Sequence, residues 1–265
     1  MKIQKSILML IIIMILMPLA VTILWVFVER WAWPDMWPQI FSLRALKEIL
    51  ARKEEISSLF LSSVWISTVV GLLSVFIGLM TARALTNHNF KGKNWMYFFT
   101  ILPFMVPATV FTMGIQITFI KMGLNNTVTG VIIAHLICSL PYAVRLIVDG
   151  MEALGTGYEE QARVLGAKPV KAFFRVTLPV LSPVLASAMS MAYIVSFSQY
   201  FITLLIGGGS VKTFTIVMVP FLQSGDRNIA CIYSAMFLGV TLIVFAIFEK
   251  IAGKLNNDEN EAFYA

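Results

Sequence analysis

The chain has 265 residues, of which 58% are hydrophobic and 13% charged, with 20 Lys and Arg against 14 Asp and Glu for a formal charge of +6. An ordinary soluble domain is about 45–50% apolar and about 25% charged, and a water-soluble globule of this composition could not cover its apolar surface. The basic excess sits in short loops between apolar runs, so it reads as the positive-inside bias of a membrane protein and not as a nucleic-acid surface.

Lipid requires that every backbone N–H and C=O be paired internally, so long apolar runs free of Gly/Pro clusters and Asn-Gly turns read as helices and not barrel strands. Six runs are long enough to cross a core about 30 Å thick. They lie near 7–28, 59–80, 96–117, 128–147, 180–200 and 229–248. The predicted fold class is all-α, an integral membrane bundle of six spans in one domain, 1–265.

The first run is too long for a signal-peptide core and lacks a small-x-small cleavage site, so it is expected to be a retained span. The loop after it carries Trp31, Trp33 and Trp37, which read as an interfacial belt. A short helix follows, with Leu43, Leu46, Ile49 and Leu50 as its apolar stripe. Pro103 and Pro107 in the third span and Pro141 in the fourth would free backbone carbonyls toward a polar cavity. His135 and Ser139, four apart in the fourth span, share a face. Helix-to-helix hydrogen bonding is the commoner role of such a pair, and no motif supports an intramembrane enzyme. Cys138 and Cys231 lie in apolar stretches without metal spacing and read as inert thiols.

The segment 148–179 is polar and helical in pattern. Thr156 with Glu159 three residues on is a capping-box pattern, so a helix should start near Gly157. Tyr158, Ala162 and Leu165 would share its packing face, with Glu159, Glu160 and Arg163 opposite. Gly166 stands where a helix C-terminus needs positive φ, and Pro169 suits the first turn of the next helix. Leu178 and Pro179 close the loop. A helix–Gly–helix hairpin joined to spans at both ends could pass motion to both, or could simply cover the bundle.

In the fifth span Ser182, Ala186 and Ser190 form a small-residue ridge, read with Ser196 and Gln199 as lining a pathway or packing against a partner. The Gly207 to Thr213 stretch lacks the spacing of a phosphate loop and is expected to be a flexible outer turn. The apolar stretch 214–222, interrupted by Pro220, is too short to span, and the tail at 256–261 is expected to fray.

Lys and Arg counted by loop favour both termini inside: Lys2, Lys5, Arg83, Lys91, Lys93, Arg163, Lys168, Lys171, Arg175, Lys250 and Lys254 fall on that side. The first outer loop is an exception whose basic residues are offset by acidic ones. Asp and Glu occur only in loops and at span ends, which disfavours the alternative of an ion-coupled secondary transporter.

The loop resembles the EAA loop of binding-protein-dependent ABC import permeases: Glu-Ala-Ala, three residues, Gly, nine residues, then Ile-x-Leu-Pro. Glu160, Gln161, Ala162, Gly166, Val176, Leu178 and Pro179 fit that spacing, with Gln161 for the first Ala and Val176 for Ile. Ala84 and Leu85 through Lys93, Leu102 and Pro103 with Pro107, Leu140 to Tyr142 with Arg145, and Ser196 to Tyr200 also look like the family. Many relatives carry an acidic residue in the last stretch, absent here.

The resemblance implies a multi-pass permease of the bacterial cytoplasmic (inner) membrane, of the type I importer kind. It implies no enzymatic activity and no cofactor of its own, ATP being bound by a partner subunit. The implied partners are a cytoplasmic ATP-binding subunit, a second permease subunit, identical or paralogous, and an extracytoplasmic substrate-binding protein. Glu160 would be the polar anchor to the ATPase, Gly166 the shaping turn, and Tyr158, Ala162 and Leu165 the packing face. The segment 204–230 looks most like the polyamine, thiamine and ferric-iron branch.

Overall fold

The structure, a computed structural model, describes residues 2–264. Met1 and Ala265, the ends of the expected domain, lie outside the described residues, as do the side chains of Lys2 and Lys254.

In chain order the elements are α1 (Lys2–Val26), β1 (Val28–Arg30), β2 (Ile40–Phe41), α2 (Arg44–Ala51), α3 (Lys53–Asn87), α4 (Lys93–Met105), α5 (Ala108–Lys121) and α6 (Val128–Leu154). Then come α7 (Gly157–Val164), α8 (Pro169–Ala172), a π-helical turn (Phe173–Thr177), α9 (Leu178–Val180), α10 (Ser182–Phe197), α11 (Phe201–Gly207), α12 (Phe214–Ser224) and α13 (Arg227–Tyr264). Among the described residues four helices are long and apolar enough to cross a membrane, and up to six spans result if two bent pairs count as one each. The short antiparallel hairpin β1–β2 was not foreseen.

The expected span 96–117 is bent by 106° between Lys93–Pro103 and Ala108–Lys121. Proline clashes with a helical residue before it and has no N–H to donate. Val106 accordingly sits in the extended region at φ −97°, ψ 123°, and Pro107 is the N-cap of the next helix. Pro141 is accommodated inside α6, which runs on to Leu154. The tail expected to fray continues α13 to Tyr264, with no Gly or Pro beyond Gly253 to stop it.

The chain divides into two compact units. One comprises Met1–Leu61 with Phe214–Leu242. Its core joins Val26, Ala45, Ile56, Phe214, Ile229, Ile232 and Tyr233, with the Phe60 and Phe214 rings stacked 3.9 Å apart. The Asn228 amide donates to the Trp25 and Val26 carbonyls at 3.0 and 2.9 Å, pairing acceptors that the end of α1 would otherwise leave open. Asp226 accepts from the Ile229 amide at the start of α13 and pairs with Arg44 at 2.7 Å. Of the expected stripe on α2, Leu46 and Ile49 pack on this core while Leu43 and Leu50 stay exposed.

The second unit comprises Ser62–Thr213 with Ile243–Ala265. Its centre is the α6–α10 pair, against which the end of α3 packs: Ala82, Leu85, Ala143, Val144, Ile147, Val148, Leu181 and Ala188 form one cluster. A second cluster gathers Ile66, Val70, Phe119, Val131, Ala134, Ile202, Ile206 and Val211. The Gly207 to Thr213 turn, expected to be flexible, is instead fastened: Val211 belongs to that cluster, Thr213 is buried, and the Asn126 amide donates to the Ile206 carbonyl at 2.7 Å.

The α6–α10 approach depends on Gly150, where an added Cβ would lie 2.7 Å from a methyl of Val184. Gly150→Leu should destabilise the detergent-purified chain by about 1–3 kcal/mol through overpacking. Gly114→Ala, at an open position on α5, should be neutral or slightly stabilising. Thermal unfolding midpoints of the two variants check both.

Candidate functional site

The hairpin at 148–179 forms as α7, a turn at Gly166, then α8 and the π-helical turn. The turn is a Schellman motif: the Gly166 amide donates to the Arg163 carbonyl and the Ala167 amide to the Ala162 carbonyl, both at 3.0 Å. Gly166 has φ +93°, which L side chains rarely adopt, and the space around it is open. The requirement for glycine there is therefore one of backbone conformation and not of packing.

Helix α7 starts at Gly157 as the sequence predicts, but the capping box does not form, since Thr156 makes no side-chain cap. The Glu159 carboxylate points elsewhere. Its Oε1 accepts from Arg83 Nη2 at 2.8 Å and its Oε2 from Thr177 Oγ1 at 3.1 Å. The Arg83 guanidinium also lies over the Phe173 ring, 4.1 Å from its centroid.

This placement separates Glu159 from the face it was expected to share with Glu160 and Arg163. Glu159, expected outward with Glu160 and Arg163, is the inward residue, with 14% of its side chain exposed. Leu165, expected on a packing face, is 89% exposed, and Tyr158 is exposed too, while Ala162 is half-buried. The physical reason is that a carboxylate offered a guanidinium and a hydroxyl gains charge-assisted hydrogen bonds, which outweigh apolar patterning in an eight-residue helix. Glu160 is exposed, and Leu178 and Pro179 are half-buried in α9. Val164 and Val170 join Tyr158 and Leu165 as exposed apolar side chains on the hairpin.

The fifth-span residues separate into two groups. Ser182 and Ala186 line an apolar groove of about 490 Å³ together with Leu178, Pro179, Leu72 and Met189. Ser190 is buried. Ser196 and Gln199 belong instead to a polar connection around His135, which is 1% exposed. His135 Nδ1 lies 2.9 Å from Ser196 Oγ, and Nε2 lies 2.9 Å from Thr203 Oγ1. Thr203 donates its own hydrogen to the Gln199 carbonyl at 2.7 Å, so its oxygen must accept from His135. The imidazole is therefore protonated at Nε2, and Ser196 donates to Nδ1. This joins α6, α10 and α11 across their interface. Ser139, expected to share the role of His135, has no hydrogen-bond partner for its hydroxyl among the described residues.

Gln199 also lines a cavity of about 310 Å³ at the α4–α5 break, beside Pro103, Pro107, Pro141, Tyr142 and Cys138. The three prolines expected to free carbonyls toward a polar cavity thus meet at one. Arg83, Phe173, Thr177 and Thr203 were missed. Arg83 and Glu159 are separated by 76 residues, and no local pattern connects them.

A helical membrane bundle that presents a glycine-turned hairpin between two of its long helices has the form of a transport permease. The family described as "Binding-protein-dependent transport system inner membrane component" matches residues 74–257. The chain belongs to that family.

Among its relatives is the molybdate/tungstate transport system permease protein of Pyrococcus abyssi, 28% identical over 193 residues, covering 73% of this chain and 77% of the relative. The sulfate transport system permease protein of Escherichia coli is 25% identical over 247 residues, covering 88% and 84%. The ferric transport system permease protein of Actinobacillus pleuropneumoniae is 23% identical over 192 residues, 72% of this chain but 28% of the relative. Among solved structures, a chain of the inward-facing MetNI methionine ABC transporter has the same fold, with a TM-score of 0.54 at 17% identity, covering 78% of this chain and 98% of that one. The protein is therefore a permease subunit of an importer of the ABC class, and the alternative of an ion-coupled carrier is set aside. The relatives' names span several substrates and do not single out one branch.

His135→Leu should cost about 1–3 kcal/mol, because it strands the Ser196 hydroxyl without its acceptor. Ser139→Ala should leave stability unchanged or raise it by up to about 1–3 kcal/mol, since it removes a buried hydroxyl that has no partner to lose. Unfolding of both variants in the same detergent gives the comparison.

Proposed function

We propose that the hairpin 148–179 docks on a separate cytoplasmic ATPase subunit, and that this chain pairs with a second permease to enclose the substrate pathway. The observation that supports this reading is the exposed apolar set Tyr158, Val164, Leu165 and Val170, displayed beside Glu160 on a hairpin whose inner side is tied down through Glu159. Apolar side chains at a helical tip with a charged residue alongside are what a protein cleft would cover. With both termini cytoplasmic, as the distribution of Lys and Arg favours, this hairpin faces the compartment that holds ATP. ATP is bound and hydrolysed by the partner, and an extracytoplasmic binding protein delivers the substrate. The chain acts by moving and carries out no catalysis of its own.

For the substrate we infer a small oxyanion. Molybdate/tungstate, sulfate and 2-aminoethylphosphonate permeases outnumber the one ferric permease among the relatives named here. Asp and Glu occur only at the ends of the described membrane helices, so none stands midway along a span to receive a cation.

Leu165→Asp should lower ATPase co-purified with the assembled chain by about tenfold or more, a loss typical of a buried interface anchor. Retained co-purification would remove the docking reading. Gly166→Val, forcing a β-branched residue to positive φ, should cost about 1–2 kcal/mol locally and abolish uptake while the protein still inserts. For the substrate, the cognate binding protein should be stabilised thermally by molybdate, sulfate or 2-aminoethylphosphonate. Stabilisation by ferric iron, spermidine or thiamine instead would overturn the oxyanion assignment.

A further inference from the structure

A buried-side contact behind the hairpin gives Glu159 a role distinct from that of Glu160. Three separate segments meet at its carboxylate. Arg83 comes from the last turns of α3, Glu159 from the first turn of α7, and Thr177 from the end of the π-helical turn. The same guanidinium rests on Phe173, the first residue of that turn. Both ends of the π-helical turn are thereby fixed, one through a ring face and the other through a hydroxyl. Stacking occupies the flat face of the guanidinium and leaves its N–H edge free for the carboxylate, so the two contacts do not compete.

The pair is sheltered, with side-chain exposures of 27% for Arg83 and 14% for Glu159. The exposed pairs Arg52–Glu55 and Arg145–Asp149 each bridge one turn of neighbouring sequence, whereas Arg83–Glu159 joins elements 76 residues apart. A π-helical turn inserts one extra residue into the helical ladder and recurs at functional positions. Here it sits between α8 and the start of α10, at residues that Arg83 and Glu159 hold from outside.

We propose that Arg83, Glu159 and Thr177 form a latch that sets the angle of the hairpin against α3, making Glu159 the positioning residue through which movement of the docked hairpin reaches α3 as well as α10. This rests on the docking reading above. Glu160 contacts the partner, and Glu159 transmits within the chain. With the latch open, the hairpin still docks but swings independently of the bundle.

The test uses the full chain in lipid nanodiscs, alone and co-assembled with its ATPase. Variants are Glu159→Ala, Thr177→Val, Arg83→Lys and the charge exchange Arg83→Glu with Glu159→Arg. In the chain alone, amide hydrogen exchange across α7 should rise by about tenfold in Glu159→Ala, rise less in Thr177→Val, and return toward the parent in the charge exchange. In the complex, normalised to assembled protein, Glu159→Ala should keep basal ATP hydrolysis within about twofold and lose its stimulation by the binding protein. Arg83→Lys, which retains the charge, should keep part of that stimulation.

Unchanged exchange in Glu159→Ala would show that no latch exists. Faster exchange with stimulation intact would show a latch that transmits nothing, and would equally overturn the proposal. Failure of the parent chain to hold any ATPase would defeat the docking reading, and the transmission role would fall with it, while the exchange data would still report on the contact itself.

Discussion

An amide or carbonyl that loses its helical partner inside lipid has no water to replace it, at a cost of several kcal/mol. That constraint fixes where this chain can depart from regular helix. At the end of α1, Asn228 supplies the missing donor to two carbonyls. At the start of α6, Thr127 accepts from the Gly130 amide. The break between α4 and α5 falls at a proline, which has no N–H to strand.

Side chains obey the same rule with more latitude, and the two main polar clusters of the second unit use it differently. Around His135 every hydrogen is directed: Ser196 to imidazole, imidazole to Thr203, Thr203 to a backbone carbonyl. Such a directed chain holds three helices in one register and leaves neither imidazole nitrogen without a partner. The Arg83–Glu159 cluster is charged, partly solvated and placed where two interhelical segments join. The first cluster suits a fixed seam in the bundle. The second suits a joint that must stay connected while its parts move. A single hydroxyl such as that of Ser139, left without a partner, costs less than a charge would and can be tolerated.

Much of this was legible in the sequence because it is written in local patterns. Long apolar runs mark the helices, and Gly166 and Pro169 mark the hairpin, whereas the run 96–117 reads as one span and does not reveal its 106° break. Family resemblance at Glu160, Gly166, Leu178 and Pro179 added the importer class, to which the match over 74–257 assigns the chain. What remained hidden is what depends on distant partners. The capping-box spacing of Thr156 and Glu159 is a local signal, and it lost to a guanidinium 76 residues away. The β1–β2 hairpin pairs three residues with two, too short for strand periodicity to register. The π-helical turn has no composition of its own. The turn after α11 looked loose because it is rich in glycine, yet Val211 buries itself in the core.

The bend of 68° between the segment ending at Val180 and α10 carries a mechanical consequence. Helix α10 has 16 residues and at 1.5 Å per residue is about 24 Å long. If it pivots as a rod about that elbow, carrying α6 and α11 with it through the His135 contacts, a tilt of about 10° displaces its far end by about 4 Å against the α4–α5 break, roughly the width of a methyl group. The far end carries Ser196 and leads directly to Gln199, beside the cavity at the broken span. An angular change too small to disturb any single hydrogen bond near the elbow is thus magnified by arm length into a displacement large enough to narrow or widen that cavity.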